Sequence, residues 1–273
     1  MEKRPDWVPE GVEITVPNAA RMYDYALGGY HNFAVDREVV AQMEQVAPGA
    51  AAIGRANRAY VGRVVRWLVD AGIRQFLDIG SGIPTLGNVH EVAQEAAPDA
   101  RVMYVDIDPV AVAHSEVILA GNPSAAVIEG DVRRPADILY HEAVTGLIDF
   151  AEPVAVLLNA VLHFVSDADD PAGIVARIRE PLVSGSYVSI THGRAVEDMP
   201  EEAEDVQRTY RRTPTSLHLR RAADLAAMLA GMELVEPGIV PVTEWHPDPS
   251  DPEEQDDDDV PLPAVIGVLA RQR

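Results

Sequence analysis

The apolar positions change rhythm near residue 74. Before it they recur at helical spacing. Asn18 can cap a helix through Met22, Tyr23, Tyr25 and Leu27, stopped by Gly28-Gly29. A second helix is expected from Val35 to Val46, ahead of Pro48-Gly49. A third is expected over Ala51 to Ala71, where Ile53, Tyr60, Val61, Val64, Val65 and Leu68 fall near one face and Gly72 suits the C-terminal cap. From Arg74 onward, short apolar runs alternate with helical segments. Strands are expected at Arg74 to Ile79, Arg101 to Asp106, Ala125 to Glu129, Val154 to Leu158, Gly185 to Thr191, Glu233 to Val242 and Ala264 to Ala270. Helices are expected at Asn88 to Ala97, Pro109 to Leu119, Pro171 to Leu182 and Leu217 to Leu229.

This alternation predicts an α/β fold: a Rossmann-like, mostly parallel sheet with helices on both faces and an antiparallel hairpin at one edge. Residues 1–73 read as an N-terminal helical cap or lid, and residues 74–273 as the cofactor-binding core of a single integrated domain.

The first strand, Phe76-Leu77-Asp78-Ile79, runs into Gly80-Ser81-Gly82-Ile83-Pro84-Thr85. Glycines there let the backbone close on a ligand, and Asp106 at the end of the next apolar run suits a ribose. A dinucleotide fingerprint would need a third glycine or alanine where Thr85 stands. Asp78 would also repel a pyrophosphate. A cofactor with a cationic amine and a ribose fits better, and S-adenosylmethionine has both. Strand ends on such sheets converge on one cleft, which gathers Asp78, Asp106, Asp131 and Asn159. Taken singly, Asp131 and Asn159 read equally well as turn residues.

Composition narrows the field. The formal net charge is −22, concentrated in Glu197 to Asp205 and Asp248 to Asp259. Acidity of this degree argues against a nucleic-acid substrate. The run Asp256 to Asp259 lacks the glycine and spaced glutamate of a calcium loop and reads as solvated. The absence of cysteine excludes disulfides, thiol catalysis and cysteine-ligated metals, and no metal site is expected. No apolar run is long enough for a membrane helix and the N-terminus has no signal-peptide core, so the expected setting is cytoplasmic, with no membrane partner.

The segments Leu77 to Gly82, Tyr104 to Pro109, Glu129 to Val132 and Leu158 to His163 resemble the class I S-adenosylmethionine-dependent methyltransferases. More narrowly, Asn18 to Gly29, Gly80 to Glu91 and Leu234 to Trp245 resemble an actinobacterial S-adenosyl methyltransferase family without an established substrate. The resemblance implies that Gly80 and Gly82 approach the cofactor, Asp78 lies near its amine and Asp106 accepts the ribose hydroxyls. It also implies that Ile107 packs on adenine, Asp131 and the Val132 backbone bond the ring, and Asn159 sits near the methionine portion.

The acceptor side is less determined. His163 and His192 follow the fourth and fifth strands and suit a general base, although a structural reading competes for both. Arg21, Tyr23, Asn57 and Arg58 on the cap are candidates to hold the cofactor carboxylate or a substrate anion. The expected activity is methyl transfer to oxygen or nitrogen of a small molecule. The alternatives are a catalytically inactive cofactor-binding regulator and an NAD-dependent oxidoreductase. A homodimer is compatible with the sequence without being specified by it. The tract Pro247 to Asp259 carries too much like charge to bury itself and is expected to be a mobile loop. Shortening it should leave cofactor affinity, read by calorimetry, within about twofold. A larger loss, or calcium-dependent binding, would contradict the solvated-loop reading.

Overall fold

The computed structural model describes residues 8, 9, 12–47, 49–84, 87–195, 208–210, 216–248 and 265–273. The acidic tract 197–205, the segment 249–259 and Thr85 lie outside the described residues.

Three helices come first: α1 (Ala19–Ala26), α2 (Ala34–Val46) and α3 (Ala50–Asp70). Alternation then follows through β1 (Gln75–Ile79), α4 (Val89–Ala96), β2 (Arg101–Asp106), α5 (Pro109–Leu119) and β3 (Ala125–Glu129). Two short helices, α6 (Pro135–Leu139) and α7 (Glu142–Leu147), precede β4 (Ala155–Asn159). The chain continues through α8 (Pro171–Arg179), β5 (Tyr187–Gly193), α9 (Ala222–Met228), β6 (Glu233–Leu234), β7 (Val240–Pro241) and β8 (Val265–Arg271). The strands form one sheet in the order β3-β2-β1-β4-β5-β8-β6, with β7 also on β8. Pairing is parallel from β3 to β5, while β8 runs antiparallel to β5, β6 and β7.

The sheet is covered on both faces, and strand alternation decides which residues go where. Leu77, Ile79, Met103, Val105, Val156 and Leu158 face a core shared with α6 to α9. Phe76, Val102, Tyr104, Ala155 and Leu157 face the opposite core, built on Tyr60, Val64, Val65 and Leu68 of α3 and on α4. The helix α3 therefore belongs to the sheet's own helical layer. Residues of α3 and of the strands thus share one packed core.

Local sequence explains where elements depart from the expected bounds. The stretch Glu233 to Val242 is not one strand: the turn at Pro237-Gly238 divides it into β6 and β7. The helix expected from Leu217 begins only at Ala222. Residues ahead of it instead bond along the end of β5, with Arg220 N–H donating to the Gly193 carbonyl at 3.1 Å. No described helix is long and apolar enough to cross a membrane.

The cap is tied down by a buried charge cluster. Arg21 lies 3.5 Å from Asp36 of α2 and 3.7 Å from Asp108 at the start of α5, all three almost wholly buried. Its guanidinium also donates to the carbonyls of Glu13 and Val16, and it stacks over Phe33 at 4.9 Å. Arg21→Ala would strand two buried carboxylates. We predict a stability loss of about 3 kcal/mol or more, measured by thermal or denaturant unfolding. An unchanged Tm would contradict this assignment.

Candidate active site

The parity of three strands sets the site. Asp78 shares its face with Phe76, Asp106 with Val102 and Tyr104, and Asn159 with Ala155 and Leu157. All three therefore sit at carboxyl ends of adjacent strands on the α3 side. Asn57 and Arg58 of α3 lie over them. The result is a cavity of about 410 Å³, within the size range of small-molecule sites, lined by strand ends, α1, α2, α3 and the turn after β4.

The glycine turn closes one wall. Gly80 has φ +77°, and a Cβ there would stand 2.5 Å from Val161 Cγ2, so neither the conformation nor the space admits a side chain. Gly82, at φ +68°, donates its N–H to Asp106 Oδ2 at 2.7 Å. The other Asp106 oxygen accepts from Asp108 N–H at 2.8 Å. Burial pushes Asp106 up to about 6 despite these donors. Asp78 receives no hydrogen bond among the described residues. Burial lifts it to about 7, against the Arg58 charge and with help from Asp106.

Several polar atoms around this cavity are buried without partners: Asn57 Oδ1, Arg58 Nε, Ser81 Oγ and Asn159 Nδ2. The two amides are oriented from behind. Tyr60 OH lies 3.3 Å from Ser189 Oγ, and Ser189 donates to Asn159 Oδ1 at 3.0 Å, which leaves the amide nitrogen free. Asn57 Nδ2 donates to Tyr23 OH at 3.1 Å, Tyr23 in turn donates to the Gly54 carbonyl, and Asn57 Oδ1 is left free. Orphaned donors and acceptors of this kind suit a ligand carrying both a carboxylate and an ammonium.

At the other end of the cavity, Ile107 is 52% exposed beside Gly130, Asp131 and Val132. Asp131 is gripped by Arg133, whose Nε and Nη2 lie 2.7 to 3.0 Å from its oxygens. Desolvation alone would raise Asp131, but the Arg133 bonds outweigh it and hold the carboxyl below its usual range. Arg133 was missed by sequence reasoning. Its one signal is that it stands two residues past Asp131.

Two expected residues lie outside the cavity lining. Arg21 is turned into the charge cluster described above, because a helix pattern shows which residues are polar but not which face the cleft. His192 lies inside β5, fully buried, with Nε2 3.0 Å from Arg220 and Nδ1 2.8 Å from the Gly193 carbonyl. His163 does line the cavity, beside Phe164 and Tyr210. Met22, Val40, Met43 and Ile53 complete an apolar wall that sequence reasoning did not single out. No group of three or more His, Cys, Asp or Glu is placed to hold a metal among the described residues.

A mostly parallel sheet of this order, with its cleft at the carboxyl ends of β1, β2 and β4, is that of the class I methyltransferases. The sheet aligns with mitomycin 7-O-methyltransferase at TM-score 0.51 and 19% identity, over 82% of this chain and 56% of that one, which shows the fold alone. A family model described as S-adenosyl methyltransferase matches residues 5–272, and the chain belongs to that family. Two crystal structures are similar throughout. A DUF574 family protein from Streptomyces avermitilis is 42% identical, with TM-score 0.89 over 95% of this chain and 99% of its own. A protein from Thermobifida fusca, described as a candidate methyltransferase, is 37% identical, with TM-score 0.89 over 98% and 100%. No curated protein matches. The protein is a methyltransferase that uses S-adenosylmethionine.

Asp106 and Asp108 give opposed predictions. Asp108 Oδ1 caps α5 by accepting from Val110 N–H at 2.8 Å, and Asp108 pairs with Arg21, so Asp108→Ala should lower Tm. Asp106→Ala should weaken S-adenosylmethionine binding by about 2 kcal/mol, roughly 30-fold, in calorimetry. If Asp108→Ala costs more binding than Asp106→Ala, the ribose assignment fails.

Proposed function

We propose that the protein transfers a methyl group from S-adenosylmethionine to a small molecule held beneath α1 and α2. The observation that carries this reading is the set of unpartnered polar atoms around Asp78. Asp78 and Asn57 Oδ1 would accept from the cofactor ammonium, and Arg58 Nε and Asn159 Nδ2 would donate to its carboxylate. Asp106 would hold the ribose hydroxyls, Gly80 and Gly82 would admit the backbone to van der Waals contact, and Ile107, Asp131 and Val132 would flank the adenine. The cofactor supplies a methyl group already activated on a sulfonium, so the protein's part is alignment and exclusion of water.

The apolar wall of Met22, Val40, Met43, Ile53 and Phe164 supports an acceptor small enough to be enclosed. It offers nothing to a nucleic acid, whose backbone the net charge of −22 would repel. A cytoplasmic setting goes with this reading. Methyl-labelled cofactor incubated with the protein and a cell extract should put label into the fraction that passes an ultrafiltration membrane. Label retained with protein or nucleic acid would overturn the acceptor class.

The charge state of Asp78 gives a pH test. Its carboxyl lies near 7 in the free protein, and a bound ammonium favours the ionised form and lowers that value. Affinity for S-adenosylhomocysteine, which keeps the ammonium, should therefore be full above about pH 8 and fall as pH drops through 7. Well below 7 the loss approaches about tenfold per unit, with proton release on binding. Asp78→Asn should bind weakly with a flattened profile. Wild-type affinity that is level from pH 8 to pH 6 would contradict the assignment of Asp78 to the amine.

A further inference from the structure

His163 is carried by a single helical turn, Leu162–Phe164, just after β4, and that turn is clamped from outside by Arg220. Arg220 is 6% exposed. Its Nη1 donates to the Leu162 carbonyl at 2.9 Å and its Nη2 to the Val165 carbonyl at 2.7 Å, so the planar fork closes on both sides of His163. It also reaches Asp167 Oδ1 at 2.7 Å. The main chain adds to the clamp: His218 N–H donates to the His163 carbonyl at 2.7 Å, and Arg220 N–H to that of Gly193.

The same contacts fix protons. An arginine only donates, so a bond from Arg220 Nη1 to His192 Nε2, 3.0 Å apart, requires a bare Nε2. The His192 proton is then on Nδ1, donated to the Gly193 carbonyl at 2.8 Å. Gly193 N–H in turn donates to His163 Nδ1 at 3.4 Å. This leaves the His163 proton on Nε2, the nitrogen with no protein partner among the described residues.

We propose that Arg220 is a positioning residue for methyl transfer: it locks the His163 turn and, with His192 and Gly193, holds His163 as a neutral Nε2–H donor at the acceptor end of the cavity. The proposal rests on the methyl-transfer reading of that cavity. So held, His163 does not serve as the general base, because one ring nitrogen is occupied by an N–H and the other already carries a proton. The acceptor class that fits is a small molecule with an ionised phenolic or enolic oxygen. The Nε2–H of a cavity-lining His163 favours an oxyanion. As the oxygen lone pair forms the new carbon–oxygen bond, the carbon–sulfur bond breaks and its electrons return to sulfur, and no proton moves. Burial, His192 and Arg220 all press His163 well below the usual imidazole range, in keeping with a ring that stays neutral.

Long-range proton–nitrogen NMR of the full chain labelled with 15N-histidine tests this directly, with His163→Gln identifying the signals. His163 should show a protonated Nε2 and a bare Nδ1, unchanged from about pH 8 to about pH 5.5. In Arg220→Gln, His163 should become a tautomeric mixture that titrates nearer its ordinary pKa, and Arg220→Lys should restore the pattern only in part. A wild-type His163 with its proton on Nδ1, or one that titrates near neutrality, would overturn the proposal. So would a folded Arg220→Gln with unchanged His163 signals. If Arg220→Gln does not fold, the wild-type spectrum decides. The spectrum needs no cofactor. A failure of S-adenosylmethionine to bind would therefore remove the underlying site reading and remain distinguishable from a wrong tautomer.

Discussion

Two buried carboxylates on neighbouring parallel strands are the constraint around which the structure is arranged. Asp78 and Asp106 are buried on the face of the sheet that packs against α3. Burial raises both, and a neighbouring carboxylate adds to each: Asp106 raises Asp78 and Asp108 raises Asp106. A chain optimised only for stability would replace them, because charge held in low dielectric costs free energy unless it is compensated. Asp106 is compensated in part by the Gly82 and Asp108 N–H groups. Asp78 accepts no hydrogen bond among the described residues and has the Arg58 charge as its opposing influence. The glycine turn, the amides of Asn57 and Asn159, and Arg58 line the same cavity.

The helical layer serves the site as well as the core. Tyr60 packs at the centre of the α3 face and anchors the hydrogen-bond chain through Ser189 that aims Asn159. Three residues earlier on the same helix, Asn57 is aimed by Tyr23 of α1. Packing and site geometry are therefore coupled through α3. The Arg21 cluster does the corresponding work for α1 and α2, holding them to α5 without entering the cleft.

The sheet, its direction and the strand-end acids were legible because a period of two, β-branched runs and glycine turns are local signals. Asp78, Asp106, Asp131 and Asn159 could be gathered from the rule that parallel strands open on one cleft. Arg21 and His192 could not be placed in this way. Their partners, Asp36 and Asp108 in one case and Arg220 in the other, lie far away in sequence, and helix or strand spacing does not reveal them. The short helices α6 and α7 were missed because five or six residues carry too little periodicity. The two-residue strands β6 and β7 exist only through pairing with β8. Of the tract expected to be mobile, Pro247 and Asp248 are described, with Asp248 3.8 Å from Arg66, and residues 249–259 lie outside the described residues.

The Asp78 carboxylate, which accepts no hydrogen bond among the described residues, is expected to select a cofactor with an ammonium over one with a pyrophosphate. Calorimetric titration of the full chain with S-adenosylmethionine, S-adenosylhomocysteine and NAD tests it most directly. Micromolar binding of the first two and much weaker binding of NAD are expected, with the preference reduced in Asp78→Asn. NAD binding as tightly as S-adenosylhomocysteine, or Asp78→Asn leaving the preference intact, would contradict it.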